Sequence, residues 1–240
     1  MSGRVRWLGH STVVVDLDGV RVVTDPLLRR RVIHLRRDDD VAAPDDVDIV
    51  LLSHLHYDHL DLPSLARIGV DTRVAVPLGG RKSLRGFENV FEVQPGETFE
   101  VGELRIRVVE AVHDGRRRRI GAPIPAVGYV LEGSHTVYFA GDTDIFDGMR
   151  DLGPLDLALL PIWGWGSSVG PGHLDPEGAA KAVALLHPRV VVPIHFGTYH
   201  AIGSRDLGRE PADKFAVAAL QTAPDVDVRV LPIGGSLELT

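Results

Sequence analysis

Residues 53 to 61 read SHLHYDHLD, three histidines and two aspartates in nine positions. Imidazole nitrogens and carboxylate oxygens are the usual ligands of zinc, manganese and iron, and the usual acids and bases of hydrolysis. The spacing sorts them: His54 and His56 point one way while Asp58 and His59 turn elsewhere, so one loop can feed two neighbouring metal positions. Local hydrogen bonding in a polar loop accounts for one such histidine. Three of them with an aspartate interposed favour metal binding.

Metal sites need further ligands, and three other places offer them. His113 closes LRIRVVEAVH, Asp142 follows TVYFAG, and His195 closes RVVVPIH. Gly141, just before Asp142, permits a tight backbone approach. A lone histidine at a strand end is usually structural, but four strand ends that each close on His or Asp form a set. A bound divalent ion lowers the pKa of water from about 16 towards about 7, and two ions roughly 3.5 to 4 Å apart can hold the resulting hydroxide while polarising a carbonyl or phosphoryl oxygen. The chain has no cysteine, so thiolate ligands, a thiol nucleophile and a disulfide framework are all excluded.

The elements that must position these residues follow from hydrophobic patterning. STVVVDLDGVRVVTDP reads as two strands turning at Asp18-Gly19, and DIVLLSH as a strand covered on both faces. LPSLARIG reads as a short helix with Pro63 in its first turn and Gly69 past its end. TRVAVP is a strand, GGRKSLRGF a short helix, and NVFEVQPGETFEVGELRIRVVEAVH a set of strands broken at Gly96 and Gly102. A similar order follows: AVGYVLEGSHTVYFAGD as a hairpin near Gly133, FDGMRDLGP as a short helix, LDLALLPI and RVVVPIH as buried strands. Between and after these, DPEGAAKAVALLH and ADKFAVAALQTA read as helices, the first capped by Asp175 with Pro176 at its start; VDVRVLPIGGSLEL closes with strands. Both halves run strands first, then helix and strand in alternation, with no linker between them. The expectation is a single domain over 1–240, a two-sheet sandwich with helices on its outer faces.

With these residues in view, the chain resembles the metallo-β-lactamase superfamily, whose marker is H-x-H-x-D-H. Within it, the chain is similar to the branch containing L-ascorbate-6-phosphate lactonase and N-acyl phosphatidylethanolamine phospholipase D. The narrower likeness rests on WLGHSTVVVDLDGVRVVTDP, SHLHYDHLD, FAGDTD, HLDPEGAAKA and PIHFGTY, spread over nearly the whole chain. It implies an α/β fold, a four-layer αββα sandwich of two mixed sheets flanked by helices, and a binuclear centre. His54, His56 and His113 would hold the first metal, Asp58, His59 and His195 the second, and Asp142 would bridge them. His173, in GPGHLDPEGAA, matches a substrate-facing histidine and would bind substrate or protonate the leaving group, beside Asp58 as the second catalytic residue. The segment after His113, HDGRRRRIG, departs from the branch, where an aromatic residue and a serine often follow; that bears on substrate contacts and leaves the ligand intact.

Other residues divide between function and packing. His10 and Asp25 are expected to orient ligands by hydrogen bonds, with Asp61 and Thr143 in similar roles. Trp163 and Trp165, in IWGWGSSVG, are packing aromatics or a pocket wall; Tyr199 and His200 border the pocket or pack. The run Arg116 to Arg119 is a solvated loop or a phosphate contact. GGRKS lacks the first glycine of a phosphate loop, and GWGSSVG misses the dinucleotide fingerprint. No function is assigned to His34, His135 or His187.

A net charge of −7 argues against a nucleic-acid or anionic-membrane surface. The N-terminal segment lacks the apolar core of a signal peptide and no apolar run reaches membrane-span length, so a cytoplasmic enzyme is expected. Its partner would be a small molecule, phosphorylated or not, rather than nucleic acid or membrane. The expected cofactors are two divalent ions, zinc first, with manganese or iron as alternatives. The expected reaction is hydrolysis of an ester, lactone or phosphodiester by a metal-bridging hydroxide. The alternative is a non-hydrolytic metal-binding protein or a di-iron redox or sensor protein on the same fold.

Overall fold

Asp18 and Gly19 adopt left-handed conformations, φ 51° and 81°, and close a hairpin in which Thr12–Leu17 pairs with Val20–Thr24, Leu17 opposite Val20. A two-residue turn of this kind matches the right-handed twist of the strands it joins. The computed structural model describes residues 3–117, 123–164, 168–203 and 208–240. Within them this hairpin belongs to a seven-stranded sheet ordered Ser236–Leu239, Gly3–Gly9, Thr12–Leu17, Val20–Thr24, Ile49–Leu51, Arg73–Pro77, Val90–Val93. The first three pairings are antiparallel and the last three parallel.

A second seven-stranded sheet repeats that plan: Thr98–Val101, Leu104–Asp114, Pro125–Glu132, Thr136–Phe139, Leu157–Pro161, Val190–Ile194, Asp227–Val228. Again three antiparallel pairings are followed by three parallel ones. The two halves of the chain therefore share a topology without sharing a literal repeat.

Strand alternation sorts the side chains into layers. Val13, Val15, Val22, Ile49 and Leu51 enter the core between the sheets. Their neighbours Val14, Val23, Val50 and Leu52 face the other way, onto Leu60 and Leu65 at helix α1 (Leu62–Ile68). On the second sheet, helices α2 (Pro176–Leu186) and α3 (Glu210–Thr222) bury Ala179, Val183, Leu186, Phe215 and Ala219 in the cluster that contains Leu157, Leu159 and Val191. Helix, sheet, sheet and helix give the four-layer αββα sandwich. Each fully buried Val, Leu or Phe in it contributes about 1.5–3 kcal/mol.

Two expected helices shrink and one sheet was unforeseen. GGRKSLRGF and FDGMRDLGP each hold a single 3₁₀ turn, Arg81–Ser83 and Asp147–Asp151. Glycines at 79 and 86 with positive φ bracket the first, and so short a segment cannot offset the cost of nucleating an α-helix. The unforeseen sheet pairs Arg31–Val32 with Leu35–Arg36 and the latter with His200–Ala201. Two-residue strands carry no readable period. No helix of the described residues is long and apolar enough to cross a membrane.

Candidate metal centre

The buried strand Ile49–Leu51 runs straight into SHLHYDHLD, where the loop turns on bonds from His59 N and Leu60 N to His56 O (3.1 and 2.8 Å). His54 Nε2 lies 2.9 Å from His56 Nδ1, which lies 3.1 Å from His113 Nε2. Beside this trio, His59 Nε2 and His195 Nε2 are 3.2 Å apart, with Asp58 Oδ2 at 3.8 and 3.9 Å from them. Asp142 lies between the groups: Oδ2 is 3.2 Å from His59 Nε2 and 3.9 Å from His54 Nε2, and Oδ1 is 3.3 Å from His195 Nε2. All seven residues picked out as ligands thus meet in one place. Donor atoms at about 2.0–2.1 Å from a tetrahedral ion lie about 3.4 Å from one another, which is the scale of this cluster.

The outward nitrogens are anchored, and the anchors set the tautomers. His113 Nδ1 donates to Gly172 O and His195 Nδ1 to Trp163 O, both at 2.8 Å. His59 Nδ1 donates to Asp25 Oδ2 at 2.8 Å. Asp25 also accepts from Ser53 N (2.7 Å) and Ser53 Oγ (2.5 Å), and Ser53 Oγ lies 2.9 Å from His54 Nδ1. Because the serine proton goes to Asp25, its oxygen accepts from His54 Nδ1. One fully buried carboxylate therefore fixes an imidazole in each group with its Nε2 lone pair facing inward, the arrangement a ligating histidine requires.

Backbone conformation serves the same convergence. His10, Asp25 and His195 have φ of 52°, 33° and 61°, a region that side chains other than glycine occupy at a cost and chiefly at functional sites. Gly141 has φ 62°, and a Cβ there would stand 2.5 Å from Ser53 Cβ. Only glycine brings Asp142 this close to the loop of His54.

Charge is distributed unevenly. Burial and neighbouring imidazoles push His56 down to about 4, and burial, partly offset by Asp142, pushes His195 down to about 3. Burial likewise lowers His54 and His113. His59 is the exception: burial opposes its protonation, yet Asp142 and Asp58 carry it well above the ordinary imidazole value. Both aspartates are held well below the usual carboxylate range against the cost of burial, Asp58 chiefly by His59 and Asp142 by His195 and His59. Without metal, four neutral imidazoles and two carboxylates thus surround a proton on His59, which a cation bound among them would displace, freeing the Nε2 lone pair. Asp142 Oδ1, buried, makes no hydrogen bond. An anionic oxygen left bare in the interior is costly, and a cation between the two groups would satisfy it, so the donor set fits divalent metal.

The remaining candidates separate. His173 Nε2 is 3.5 Å from Asp142 Oδ2 and the residue faces the cavity above the cluster. His10 comes closer than a supporting residue need: Nε2 is 3.2 Å from Asp58 Oδ2 and its ring centroid 4.0 Å from that of His195, so its nitrogen could itself join Asp58, His59 and His195 around an ion. Thr143 Oγ1 accepts from Val112 N (2.9 Å) and donates to Asp144 O (2.7 Å), tying the segments of His113 and Asp142 together. Asp61, expected to orient a ligand, instead caps α1 through Ser64 N and pairs with Arg29 at 2.5 Å. Tyr199 donates to Arg29 O and packs under the small sheet, and His200 lies buried within that sheet. Trp163 contributes its carbonyl to His195; Trp165 lies outside the described residues. Arg116 folds back on Asp114 at 2.6 Å, while Arg117 donates to Leu55 O and Leu60 O with its guanidinium 4.1 Å from the Tyr57 ring centroid. Arg118 and Arg119 lie outside the described residues.

The cluster opens into a cavity of about 390 Å³, a size suited to a small molecule. His56, Asp58, Asp142, His173 and His195 form its floor. One wall is the turn of the small sheet, Val32 to Leu35, and the other the segment 168–171. His34 belongs to that wall, and nothing in the sequence singled it out.

A family model for the beta-lactamase superfamily domain matches residues 20–196. A UPF0173 metal-dependent hydrolase of Methanopyrus kandleri is 36% identical over 98% of this chain and 99% of its own. The N-acyl-phosphatidylethanolamine-hydrolyzing phospholipase D 1 of Caenorhabditis elegans is 32% identical over 87% of this chain and 67% of its own. Among solved structures, a metallo-hydrolase of Ignicoccus hospitalis superposes with a TM-score of 0.73 and 25% identity, covering 100% of this chain and 99% of that one.

Proposed function

The chain belongs to the metallo-β-lactamase superfamily of metal-dependent hydrolases, and we propose that it hydrolyses an ester, lactone or phosphodiester of a small molecule at a centre of two divalent ions, zinc foremost. His54, His56 and His113 would hold one ion and Asp58, His59 and His195 the other, with Asp142 placed to serve both. When bound, such ions would supply hydroxide at neutral pH and polarise the oxygen of the scissile carbonyl or phosphoryl group. Asp58, backed by His10, orients the attacking oxygen at Oδ2 and takes up its proton. His173 presents Nε2 to the cavity beside Asp142, where it binds the substrate or hands a proton to the leaving oxygen.

The observation that carries this reading is the buried carboxylate of Asp142, within 4 Å of imidazole nitrogens from both groups and with Oδ1 lacking a hydrogen bond. Asp142→Ala and His59→Ala should each abolish hydrolysis and lower bound metal, as read by elemental analysis and by turnover of p-nitrophenyl esters, lactones and bis-p-nitrophenyl phosphate. Full activity in either variant overturns the assignment.

A further inference from the structure

Ile33 combines two unfavourable features. It is 68% exposed and has φ 53°, a conformation that is an outlier for a β-branched side chain. A turn at this position would be served better by glycine or asparagine. Both penalties fall on a residue that lines the cavity over the metal cluster. Strain retained at a cavity mouth points to function rather than to folding.

The surroundings extend the same character. Val32 and Leu35 flank Ile33 on the small sheet, Tyr57 adjoins them, and Val169 and Pro171 face them across the opening. Ile202, 56% exposed, donates its N–H to His34 O and continues the apolar rim. Beyond Asp58 and Asp142, the described residues lining the cavity include no Lys, Arg, Asp or Glu; apart from His56 and His195 of the cluster, the polar side chains are His34, Tyr57, Ser168 and His173. Of the arginines around it, Arg29 pairs with Asp61, Arg37 donates to Leu8 O and Arg117 donates to the carbonyls of Leu55 and Leu60; Arg31, exposed at the start of the small sheet, is not among the lining residues.

We propose that the substrate is a carboxylic ester or lactone carrying an apolar chain, and that Ile33 is the residue that selects the chain. This rests on the hydrolytic reading above. The reaction consumes one water: its oxygen bonds to the acyl carbon as the acyl C–O bond breaks. One of its protons ends on the departing alcohol oxygen and the other is released as the acid ionises. An anionic phosphorylated substrate would instead meet a wall without a fixed cation among the described residues.

The test uses the metal-loaded full chain with p-nitrophenyl acetate, butyrate, hexanoate and octanoate, and bis-p-nitrophenyl phosphate in parallel. Burying one methylene favours binding by up to roughly fourfold, so kcat/KM should rise at least about tenfold from acetate to hexanoate. Ile33→Gly removes the side chain and relieves the left-handed strain, so its Tm should not fall. Its hexanoate-to-acetate ratio should drop by roughly fivefold or more, mainly through KM. Calorimetric titration with hexanoate and acetate, as product ligands, should show the same preference in the parent protein and its loss in the variant. A flat chain-length profile, or an unchanged ratio in Ile33→Gly, overturns the proposal while leaving hydrolysis standing. Phosphodiester cleavage without ester cleavage overturns it likewise. No turnover of any substrate by the loaded protein overturns the hydrolytic reading itself.

Discussion

Asp25 is fully buried, yet its replacement should disable the centre. Its carboxylate accepts from Ser53 N, Ser53 Oγ and His59 Nδ1 at 2.7, 2.5 and 2.8 Å, and through Ser53 Oγ it governs His54 Nδ1, 2.9 Å further on. Asp25→Asn keeps the shape. Oriented to keep the bond from Ser53 N, its amide turns an NH₂ towards Ser53 Oγ and His59 Nδ1, and a donor now faces two donors. His59 can respond only by moving its proton to Nε2, the nitrogen that faces Asp142, which removes its lone pair from the metal position. His54 loses its anchor through the reoriented serine. Loss of an outer partner of a metal-bound histidine typically weakens metal binding about 10- to 100-fold, and here one substitution reaches both proposed ions. The cost to folding should stay near 1–2 kcal/mol, because a polar partner remains. Asp25→Ala leaves three buried donors bare and should cost about 3–5 kcal/mol. Competition with a fluorescent chelator reads affinity and stoichiometry, and thermal unfolding of the metal-free forms reads stability. Asp25→Asn binding two ions as tightly as the parent would refute the tautomer argument.

Gly141→Ala should lower metal-free stability by about 3 kcal/mol, roughly 6–12 °C in Tm, because the new Cβ meets Ser53 Cβ at 2.5 Å on a backbone at φ 62°; a Tm within 2 °C or so of the parent would contradict that packing. The metal-free protein should also lose stability on acidification. His56 and His195, at about 4 and about 3 when folded, stay neutral where the unfolded imidazoles, near 6.5, take up protons. Their contribution is therefore fully present above about 6.5 and declines as pH falls towards the folded values, by about 2 kcal/mol each at pH 5. His59, raised by Asp142 and Asp58, works in the opposite sense and offsets part of this. A lower Tm at pH 5 than at pH 7.5 in chelator checks it, and an equal or higher one contradicts it.

Much of the fold was legible because apolar runs of strand length end on polar residues in both halves. The seven proposed ligands stood out for the same reason: each of their segments closes a buried strand, and rigid strand ends converge where sheets pack. What lay hidden depends on long-range placement. His10 meets Asp58 from 48 positions away, and only motif likeness, not spacing, drew attention to it. Ile33 and His34 reach the cavity through two-residue strands that no periodicity reveals. Arg117 sat in a basic run that invited a phosphate, but its guanidinium is occupied by two carbonyls and a tyrosine ring, a use of arginine that composition does not disclose. Asp61 has the residue type of a ligand-orienting group and instead closes a helix.

The most direct test of the binuclear centre is an anomalous difference map, collected at the metal edge, from crystals of the protein loaded with zinc. Two peaks roughly 3.5 to 4 Å apart are expected, one among His54, His56 and His113, the other among Asp58, His59 and His195, with Asp142 between them. A single peak, or two that leave Asp142 uncoordinated, would contradict it.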